Sequence, residues 1–397
     1  MELSLGGNFI GGGERVEPRS RRQRKSGEAG GSSALECGVG RFQVSIAIFG
    51  LALQFPAAAA PGKTRTYYIA ADEVKWDYAP RGRNLTGTPS VENESAEGQR
   101  STIYLKAIYR EYTDSSFKTL KPRAPQWEHL GILGPLIRAE VGDTIRVVFR
   151  NNATVPFSMH PHGVAYDKKS EGALYNDGTS GSEKADDLVP PGKLYTYTWT
   201  VPERAGPGPG DPSSVLWMYH SHLVETRDMN TGLIGPIIVS KRGIAGADGR
   251  PKDVDREFVA DFAIFDETAS AYYEANVANR PLNLGNLKVT DPAFRNSYLM
   301  YGINGLIEGN LPLLTMKKGE RVRWYLMSNS NEEDVHGAHW HGETALVNGM
   351  RTDTVPIGPM GMLVADMVPD SPGTWLFHCH VNEHFEGGMQ TLFRVLP

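Results

Sequence analysis

Residues 375–387 read Trp-Leu-Phe-His-Cys-His-Val-Asn-Glu-His-Phe-Glu-Gly, and a methionine follows shortly afterwards. On a β-strand, side chains alternate between the two faces, so Cys379 points to one face and the histidines beside it point to the other. A cysteine thiolate, a histidine and a weakly bound axial methionine are three of the four ligands of a blue-copper electron-transfer site. The stretch therefore predicts such a site at Cys379, His384 and Met389, and a different metal on the opposite face.

The order of motifs in the first half of the chain is repeated in the second half. Residues 217–222 (Trp-Met-Tyr-His-Ser-His) match residues 375–380, and the region of His160-Pro-His162-Gly matches residues 336–342 (His-Gly-Ala-His-Trp-His-Gly). Such a tandem duplication predicts two copies of one domain. Both copies contain short strands with alternating apolar residues and Gly- or Pro-rich turns, which predicts an all-β fold with two tandem β-sandwich domains.

Composition predicts the limits of these domains. Domain 1 is predicted at residues 63–242, a Gly-rich basic linker at 243–256 and domain 2 at 257–397, after a leader of residues 1–62. Within the leader, the apolar run and small residues of 42–60 are typical of a secretory signal, and the run is shorter than a membrane-spanning helix. A secreted or extracytoplasmic protein is expected. A plastid transit peptide, a membrane anchor, a non-native upstream start and a disordered tail remain alternatives.

Charge and cysteine content limit the classes of partner. The 397 residues carry a formal net charge of -5, and without a basic excess we expect no nucleic-acid partner. Cys37 and Cys379 are the only cysteines, so there is no disulfide framework. Because Cys379 is a predicted metal ligand, a bridge between these two residues is not expected.

Ten of the eleven histidines fall into four clusters, and only His129 stands alone. The clusters are His160 and His162; His220 and His222; His336, His339 and His341; and His378, His380 and His384. Histidine is the commonest metal ligand, and a spacing of two on a strand puts both rings on one face. An isolated core histidine is usually only hydrogen-bonded, which is the interpretation that fits His129.

The duplication separates two kinds of site. In domain 2, His336 supplies the missing fourth ligand of the blue-copper site. The matching positions in domain 1 are Phe157, Ser221, Thr226 and, roughly, Thr231, none of which is a good copper ligand, so no such site is expected there. The eight histidines that remain exceed the needs of one copper and suit three. Together the sites would take electrons singly from a donor and deliver four to dioxygen.

These motifs resemble the multicopper oxidase family, specifically its ceruloplasmin and hephaestin group, from about residue 64 to 397. Further sequence segments that resemble this group include Gly172-Ala-Leu-Tyr, Thr231-Gly-Leu-Ile-Gly-Pro236 and Ile303-Asn-Gly305. The resemblance implies cupredoxin-like Greek-key domains and four copper ions per chain. It assigns type 1 copper to His336, Cys379, His384 and Met389, and type 2 copper to His160 and His339. It assigns the two type 3 ions to His162, His220 and His380, and to His222, His341 and His378.

The resemblance also implies the reaction, in which one-electron oxidation of a donor is coupled to four-electron reduction of O2 to water. Fe(II) is the favoured donor, as in ferroxidases of iron homeostasis. Glu383 retains the acid beside His384, whereas Asn296 and Tyr301 stand where a glutamate and a histidine are expected. Laccase-like oxidation of phenols or aromatic amines therefore stays open. Asp177 is a candidate proton donor for oxygen reduction, with an ordinary Asn-Asp-Gly turn as the alternative.

Three further expectations follow from the resemblance. A homotrimer is implied, in which copper clusters form between domain 1 of one chain and domain 2 of the next. Ser214 and Ser240 stand where family members carry a disulfide, so that bridge is lost. A calcium loop is implied, and a solvated acidic loop is the alternative. Its residues are Lys168 (through its carbonyl), Glu183, Asp186 and Asp187.

Two other functional classes remain open. A copper nitrite reductase is also a two-domain trimer, but it needs fewer histidines between its domains. A non-enzymatic copper store or scaffold would lose ligands, and this chain has kept them all. Copper content distinguishes the classes: four ions per chain for an oxidase, two for a nitrite reductase and one or none for a scaffold.

Overall fold

The structure, a computed structural model, describes residues 62–88, 101–278, 288, 290–329 and 335–397. The predicted signal-like segment 42–60 and Cys37 lie outside the described residues. The described residues form nineteen strands joined by turns and a few short helices. This β-rich content agrees with the all-β prediction.

Eight strands of domain 1 form two four-stranded sheets. Alternation decides which side chains enter the core: in Thr144–Asn151, Ile145, Val147 and Phe149 are buried, while the residues between them reach solvent. The sheet orders are β2-β1-β4-β6 and β3-β8-β7-β5. The strands are β1 (Thr64–Asp77), β2 (Ile103–Tyr112), β3 (Ile137–Glu140), β4 (Thr144–Asn151), β5 (His160–Pro161), β6 (Leu194–Thr200), β7 (Ser214–His220) and β8 (Ile234–Ser240).

Eleven strands of domain 2 form a six-stranded and a five-stranded sheet. The orders are β10-β9-β12-β17-β14-β15 and β11-β19-β18-β13-β16. The strands are β9 (Arg256–Asp266), β10 (Leu299–Ile303), β11 (Leu314–Lys317), β12 (Val322–Ser328), β13 (His336–Trp340), β14 (Ala345–Val347), β15 (Met350–Thr352), β16 (Thr354–Ile357), β17 (Met362–Met367), β18 (Gly373–Cys379) and β19 (Gln390–Leu396). Each sheet of the described chain takes its strands from one side of residues 243–255. The predicted pair of tandem sandwiches is thus confirmed.

Short helices connect the strands. The α-helices are α1 (Glu225–Thr231), α2 (Pro292–Asn296) and α3 (Asn382–Glu386). Other helical turns are Pro125–Leu130, Gly181–Lys184 and Glu203–Ala205 (3-10) and Glu274–Ala278 (π). The helices α1 and α3 follow β7 and β18 at equivalent places in the two domains. No helix in the described ranges is long and apolar enough to cross a membrane.

A buried interface joins the two domains. Leu133 and Met218 of domain 1 pack in one apolar cluster with Val259 and Met327 of domain 2. His129 lies beside this cluster with 4% of its surface exposed, and its Nε2 accepts the Val259 N–H at 3.1 Å. Burial lowers the pKa of His129 to about 4, so the ring is a neutral hydrogen-bond acceptor at pH 7. This environment agrees with the structural role predicted for it.

Polar contacts also cross between the domains. The Lys106 ammonium lies 2.6 Å from the Glu267 carboxylate, and both side chains are fully buried. Ser214 and Ser240 are direct cross-strand neighbours on β7 and β8, and both are buried. The Ser214 hydroxyl bonds to the Tyr325 hydroxyl of domain 2 at 2.7 Å. Polar bonds within the interface therefore replace any link at these two serine positions.

Candidate metal centres

Three donor atoms converge in the core of domain 2. Strand β13 begins at His336, β18 ends at Cys379 and α3 carries His384, and all three side chains are buried. The Cys379 Sγ lies 3.8 Å from His336 Nδ1 and 3.5 Å from His384 Nδ1, and the two nitrogens are 3.1 Å apart. The structure thus brings together the group that the C-terminal stretch and the duplication predicted.

Main-chain hydrogen bonds tie Met389 to this group. Its carbonyl accepts the Cys379 N–H at 3.0 Å, and its own N–H donates to the His384 carbonyl at 2.9 Å. The Gly337 N–H donates to the Cys379 sulfur at 3.4 Å. An N–H donor at this position stabilises the negative charge of a thiolate. Met389 itself is fully buried.

The chemistry of this donor set fits copper. Two imidazoles and a thiolate, with a methionine in the adjoining loop, are the ligands of a blue-copper centre. Burial, and to a lesser degree the neighbouring His384, lowers the pKa of His336 to about 3. His336 is therefore neutral at physiological pH and keeps a lone pair for a metal.

Domain 1 presents a second set of converging rings, which we call the domain 1 half-site. Its members are His160, His162, His220 and His222. The Nε2 atoms of His162 and His220 face each other at 3.0 Å, and the ring centroids of His160 and His222 are 5.0 Å apart. The alternation of β7 puts His220 and His222 on the side away from Ser221, as predicted.

Domain 2 carries the matching set, the domain 2 half-site. Its members are His339, His341, His378 and His380. The Nε2 atoms of His341 and His378 are 3.1 Å apart, and the ring centroid of His339 lies 5.2 Å from that of His380. Since His378 and His380 flank Cys379, two single peptide units connect this half-site to the Cys379 group.

Main-chain carbonyl oxygens orient four of the eight rings. The Nδ1–O distances are 2.7 Å for His160 (Glu171), 3.2 Å for His220 (Ser221), 2.9 Å for His339 (Asp353) and 2.7 Å for His378 (Cys379). A carbonyl can only accept, so Nδ1 carries the proton and Nε2 keeps its lone pair. Such bonds fix the tautomer of metal-binding histidines. The pairing recurs at equivalent positions of the two domains.

Burial also keeps three of the eight rings neutral. It is the largest cause that lowers the pKa of His162 and His378 to about 4 and that of His220 well below its ordinary value. The neighbouring imidazoles lower the same pKa values further, because like charges would repel. At pH 7 His162, His220 and His378 therefore offer unprotonated nitrogens, as metal binding requires.

The two half-sites do not touch within one chain. Among the described residues, every contact between rings of these eight histidines stays inside its own domain. Each chain therefore presents two open sets of four imidazoles, and neither alone has the eight that the sequence predicted for three metal ions.

The equivalent of the Cys379 group in domain 1 has the same backbone frame and different side chains. The Ser158 N–H donates to Ser221 Oγ at 3.1 Å, just as the Gly337 N–H donates to Cys379 Sγ. Phe157 therefore occupies the position of His336, as predicted. The Ser221 N–H donates to the Leu233 carbonyl at 3.1 Å, which is the role of Met389 in domain 2.

The predicted match of Met389 to Thr231 is therefore wrong, and Leu233 is the counterpart. The helix α1 is seven residues long and α3 is five, so counting along the sequence falls two positions short. The conclusion drawn from the match is unaffected, because leucine offers no ligand atom either.

In domain 1, an ion pair that was not predicted from the sequence lies at the position equivalent to the Cys379 group. The Ser221 hydroxyl donates to Asp228 Oδ2 at 2.7 Å, and the Arg227 guanidinium lies 2.6 Å from Asp228 Oδ1. Burial raises the pKa of Asp228, and the bonds from Ser221 and Arg227 oppose that shift. The adjacent Arg-Asp pair just after His222 was the available signal.

Asp177 lies in a turn with cationic neighbours. Its Oδ1 accepts the Thr179 hydroxyl at 2.6 Å and lies 2.9 Å from the Lys184 ammonium, and its Oδ2 lies 3.2 Å from that of Lys168. The hydrogen bonds from Thr179 and then Lys184 hold the pKa of Asp177 well below its usual range. An ionised carboxylate in an Asn-Asp-Gly turn is favoured by this environment over the predicted proton donor.

The predicted calcium residues are only partly brought together. Asp186 and Asp187 are buried, and Asp186 Oδ2 accepts the Gly172 N–H at 2.8 Å. The Lys184 ammonium lies 3.2 Å from Asp187, which already supplies a positive charge. Glu183 lies on an exposed turn, and the ammonium of Lys168 bonds to a nearby glutamate. Neither ligand group that converges within 4.8 Å in the described chain includes these residues.

Three residues expected around a donor site lie on α3, α2 and β10. Glu383 is exposed and precedes His384 on α3, and Asn296 is exposed at the end of α2. Tyr301 is 9% exposed, and its ring centroid lies 5.7 Å from that of His384. Of these residues, Glu383 adjoins His384 in the sequence and Tyr301 packs against its ring.

Two family models described as multicopper oxidase match the chain, at residues 129–244 and 279–397, together more than half of its length. Hephaestin of Homo sapiens is 43% identical over 344 residues, which cover 84% of this chain and 29% of hephaestin. Ferroxidase HEPHL1 of Mus musculus is 44% identical over 341 residues (84% and 29%). Ceruloplasmin of Homo sapiens is 42% identical over 347 residues (83% and 32%). The chain spans about three tenths of the length of these relatives.

Solved structures share the fold. A structure described as a multicopper oxidase matches with a TM-score of 0.54 and 20% identity, over 84% of this chain and 89% of that chain. Copper nitrite reductase from Nitrosomonas europaea matches with a TM-score of 0.54 and 16% identity, over 84% and 94%. At these identities the likeness concerns the fold alone. From the converging ligand sets, the two family models and the relatives, we conclude that the chain belongs to the multicopper oxidase family.

Proposed function

We propose that the chain acts as a copper oxidase, which couples one-electron oxidation of a donor to four-electron reduction of O2 to water. The observation that carries this proposal is the buried group of His336, Cys379 and His384, joined through single peptide units to His378 and His380. An isolated electron-transfer site would need only the first three residues. The histidines on either side of Cys379 give its electrons a short covalent route to a second centre.

Copper bound at these residues would supply electron transfer at the Cys379 group and reduction of dioxygen at the half-sites. The chain's own contribution is to hold the donor atoms. Gly337 donates a hydrogen bond to the Cys379 sulfur, and main-chain carbonyls fix Nε2 as the free nitrogen of four histidines. Because these partners are already in place, little reorganisation is needed for binding. The proposed type 1, type 2 and type 3 ligands are those given by the resemblance.

Fe(II) is the proposed donor, with Glu383 as its carboxylate ligand beside His384. The similarity to a ferroxidase supports this choice. A second candidate is a phenol or aromatic amine, because Asn296 and Tyr301 stand where the resemblance implies a glutamate and a histidine, and the Tyr301 ring packs against the His384 ring.

Steady-state oxidation of Fe(II) and of a phenol by the copper-loaded protein tests the choice. Glu383→Gln should lower kcat/KM for Fe(II) by about tenfold, because an acidic metal contact is lost, and should leave phenol oxidation nearly unchanged. Glu203→Gln, an exposed glutamate of domain 1, is the matched control. If the wild-type protein oxidises Fe(II) no better than the phenol, the ferroxidase proposal fails.

A homotrimer is proposed because each chain carries two half-sites that do not meet. Domain 1 of one chain would face domain 2 of the next, and eight imidazoles would then surround each cluster. His162→Ala and His341→Ala should each abolish oxygen reduction alone. Co-refolded together they should regain about a quarter of wild-type activity, since one in four random interfaces pairs two intact half-sites. No recovery, or a fully active monomer, would contradict the trimer.

Copper content tests the reaction class independently. Four ions per chain are expected for the oxidase, two would support a nitrite reductase, and one or none would support a store or scaffold.

Calcium at Lys168, Glu183, Asp186 and Asp187 is a further proposal; if it is right, a chelator selective for calcium should lower the thermal midpoint of unfolding. Secretion through residues 42–60 is proposed as well, and the N-terminus of the mature protein would test it.

A further inference from the structure

A segment of domain 1 crosses to domain 2 and reaches the loop that carries two of the Cys379-group ligands. We call residues 79–88 the domain 1 strap. The Arg81 N–H donates to Asn310 Oδ1 and the Leu85 N–H to the Glu308 carbonyl, each at 2.8 Å. In turn, the Glu308 N–H donates to the Gly388 carbonyl at 2.7 Å. The strap is thus attached to domain 2 beside Met389.

One side chain of domain 2 receives the end of the strap. The hydroxyls of Thr86 and Thr88 each lie 2.9 Å from Gln390 Oε1. On its other side, Gln390 Nε2 donates to the Phe385 carbonyl at 3.3 Å. Only 5% of Gln390 is exposed, so water competes little for these bonds.

The position of Gln390 links it to the ligands. Gln390 directly follows Met389, and Phe385 directly follows His384. The bond from the Gln390 amide to the Phe385 carbonyl therefore joins the two ends of the segment between the ligands His384 and Met389. It adds to the main-chain bond from the Met389 N–H to the His384 carbonyl. The Phe385 carbonyl fixes the orientation of that amide, because a carbonyl can only accept and must therefore face the NH2 group, which leaves the amide oxygen to accept from the two strap hydroxyls.

Domain 1 provides an internal control for this arrangement. Its counterpart of Gln390 is Ile234, because each pairs with the histidine that starts its motif, His378 or His220. Ile234 is fully buried and apolar, and it has no side-chain hydrogen bond to offer. The polar clamp is present in the domain that holds the ligand set and absent from the domain that has lost it.

We propose that Gln390 is a positioning residue for the Cys379 copper site, and that Thr86 and Thr88 of the domain 1 strap hold its amide oxygen in place. The clamp holds His384 and Met389 at a fixed separation, so domain 1 helps to set the geometry of a site that lies wholly in domain 2. This proposal rests on the proposed copper function.

The test removes the hydroxyls in domain 1 and leaves every ligand in place. Thr86→Val combined with Thr88→Val should shift the visible copper absorption and electron paramagnetic resonance spectrum. It should also accelerate copper removal by a chelator by about tenfold, the size expected for loss of an outer contact to metal ligands. Thr86→Ser with Thr88→Ser should restore wild-type behaviour, and Thr315→Val, whose hydroxyl on β11 donates to the nearby Leu313 carbonyl at 3.3 Å, is the matched control.

The outcomes separate the clamp from the function on which it rests. A wild-type protein without visible copper absorption would refute the copper function itself. A wild-type protein with that absorption, and a valine double variant with the same spectrum and copper release, would overturn the clamp alone. A double variant that lowers the unfolding midpoint of the copper-free protein and leaves the spectrum unchanged would reduce these bonds to ordinary stabilisation, and so would also overturn the proposal.

Discussion

The two domains share one backbone frame around Ser221 and Cys379 and use it differently. In both, the N–H of the residue after Phe157 or His336 donates to the central side chain, and the central N–H donates to the carbonyl of the residue just before the next strand. In domain 2 the frame holds His336, Cys379 and His384 against one another. In domain 1 it holds Ser221 against Asp228 and Arg227.

The difference teaches how such a site can be lost without loss of the fold. Buried polar groups need partners, and removal of a metal from a set of converging ligands would leave donors facing one another. Domain 1 meets the requirement with an internal ion pair. In domain 2 the buried thiol and the two imidazoles face one another instead.

The largest expected effect follows from exchange of the central residue in domain 2. Cys379→Ser should remove the visible absorption and lower turnover by at least about a hundredfold, because a direct ligand is worth more than an outer contact. The half-sites should still bind copper, as measured by metal content.

The matched exchange in domain 1 is Ser221→Cys. It should create no new copper absorption, because Phe157 and Leu233 supply no ligands.

Oxidase activity retained by the Cys379→Ser variant would show that the electron route through Cys379 is wrong.

A smaller effect is expected from the ion pair of domain 1. Asp228→Ala leaves the Arg227 guanidinium and the Ser221 hydroxyl without their partner, so the free energy of unfolding should fall by about 3 kcal/mol. Urea denaturation of the copper-free protein measures this. The copper absorption of domain 2 should stay at the wild-type level; a loss of copper absorption with unchanged stability would reverse the assigned roles.

A third test concerns Asp261 of β9, whose counterpart in domain 1, by strand register, is the apolar Ala70. Asp261 is fully buried, Oδ1 accepts the Asn329 N–H at 3.1 Å, and Oδ2 has no hydrogen-bond partner. Burial raises the pKa of Asp261 to about 8. The folded protein thus holds a proton that the unfolded chain releases near pH 4, so stability falls as pH rises from about 4 to about 8.

Asp261→Asn should remove this loss. The free energy of unfolding should rise at pH 8, by up to about 5 kcal/mol for a pKa moved from about 4 to about 8, and change little at pH 4. Denaturant titrations at the two pH values measure the difference. An equal gain at both values would mean that ionisation of Asp261 is not the cause.

The sequence predicted what depends on local pattern. Alternation and duplication were sufficient to predict two sandwiches and to assign His336 to the Cys379 group, because both follow from period and order along the chain. Counting residues along the chain gave the wrong domain 1 counterpart for Met389. The helix in domain 1 is longer, so the counterpart is Leu233. The neighbours of Asp177 and Asp187 were missed because the lysines there act through side-chain geometry, which residue spacing does not specify.

Contacts between distant parts of the chain were beyond prediction from one sequence. Thr86 and Gln390 are 304 positions apart, and nothing in either local stretch indicates the other. The Ser221–Asp228 bond spans seven positions, yet Asp228 is an unremarked acid on a helix until the fold shows its neighbour.

The strap of domain 1 has a consequence for how the chain folds. Besides the Thr86–Gln390 contact, Trp76 Nε1 donates to the Gly305 carbonyl across 229 positions, and Lys106 meets Glu267 across 161. Closing such long loops costs chain entropy before the stabilising contacts between their ends have formed. Folding of a chain with many contacts between distant residues should therefore be slow. These contacts join the parts of the chain on either side of the predicted linker, residues 243–256. We expect both sandwiches to unfold in one transition, and domain 2 expressed alone to be only marginally stable.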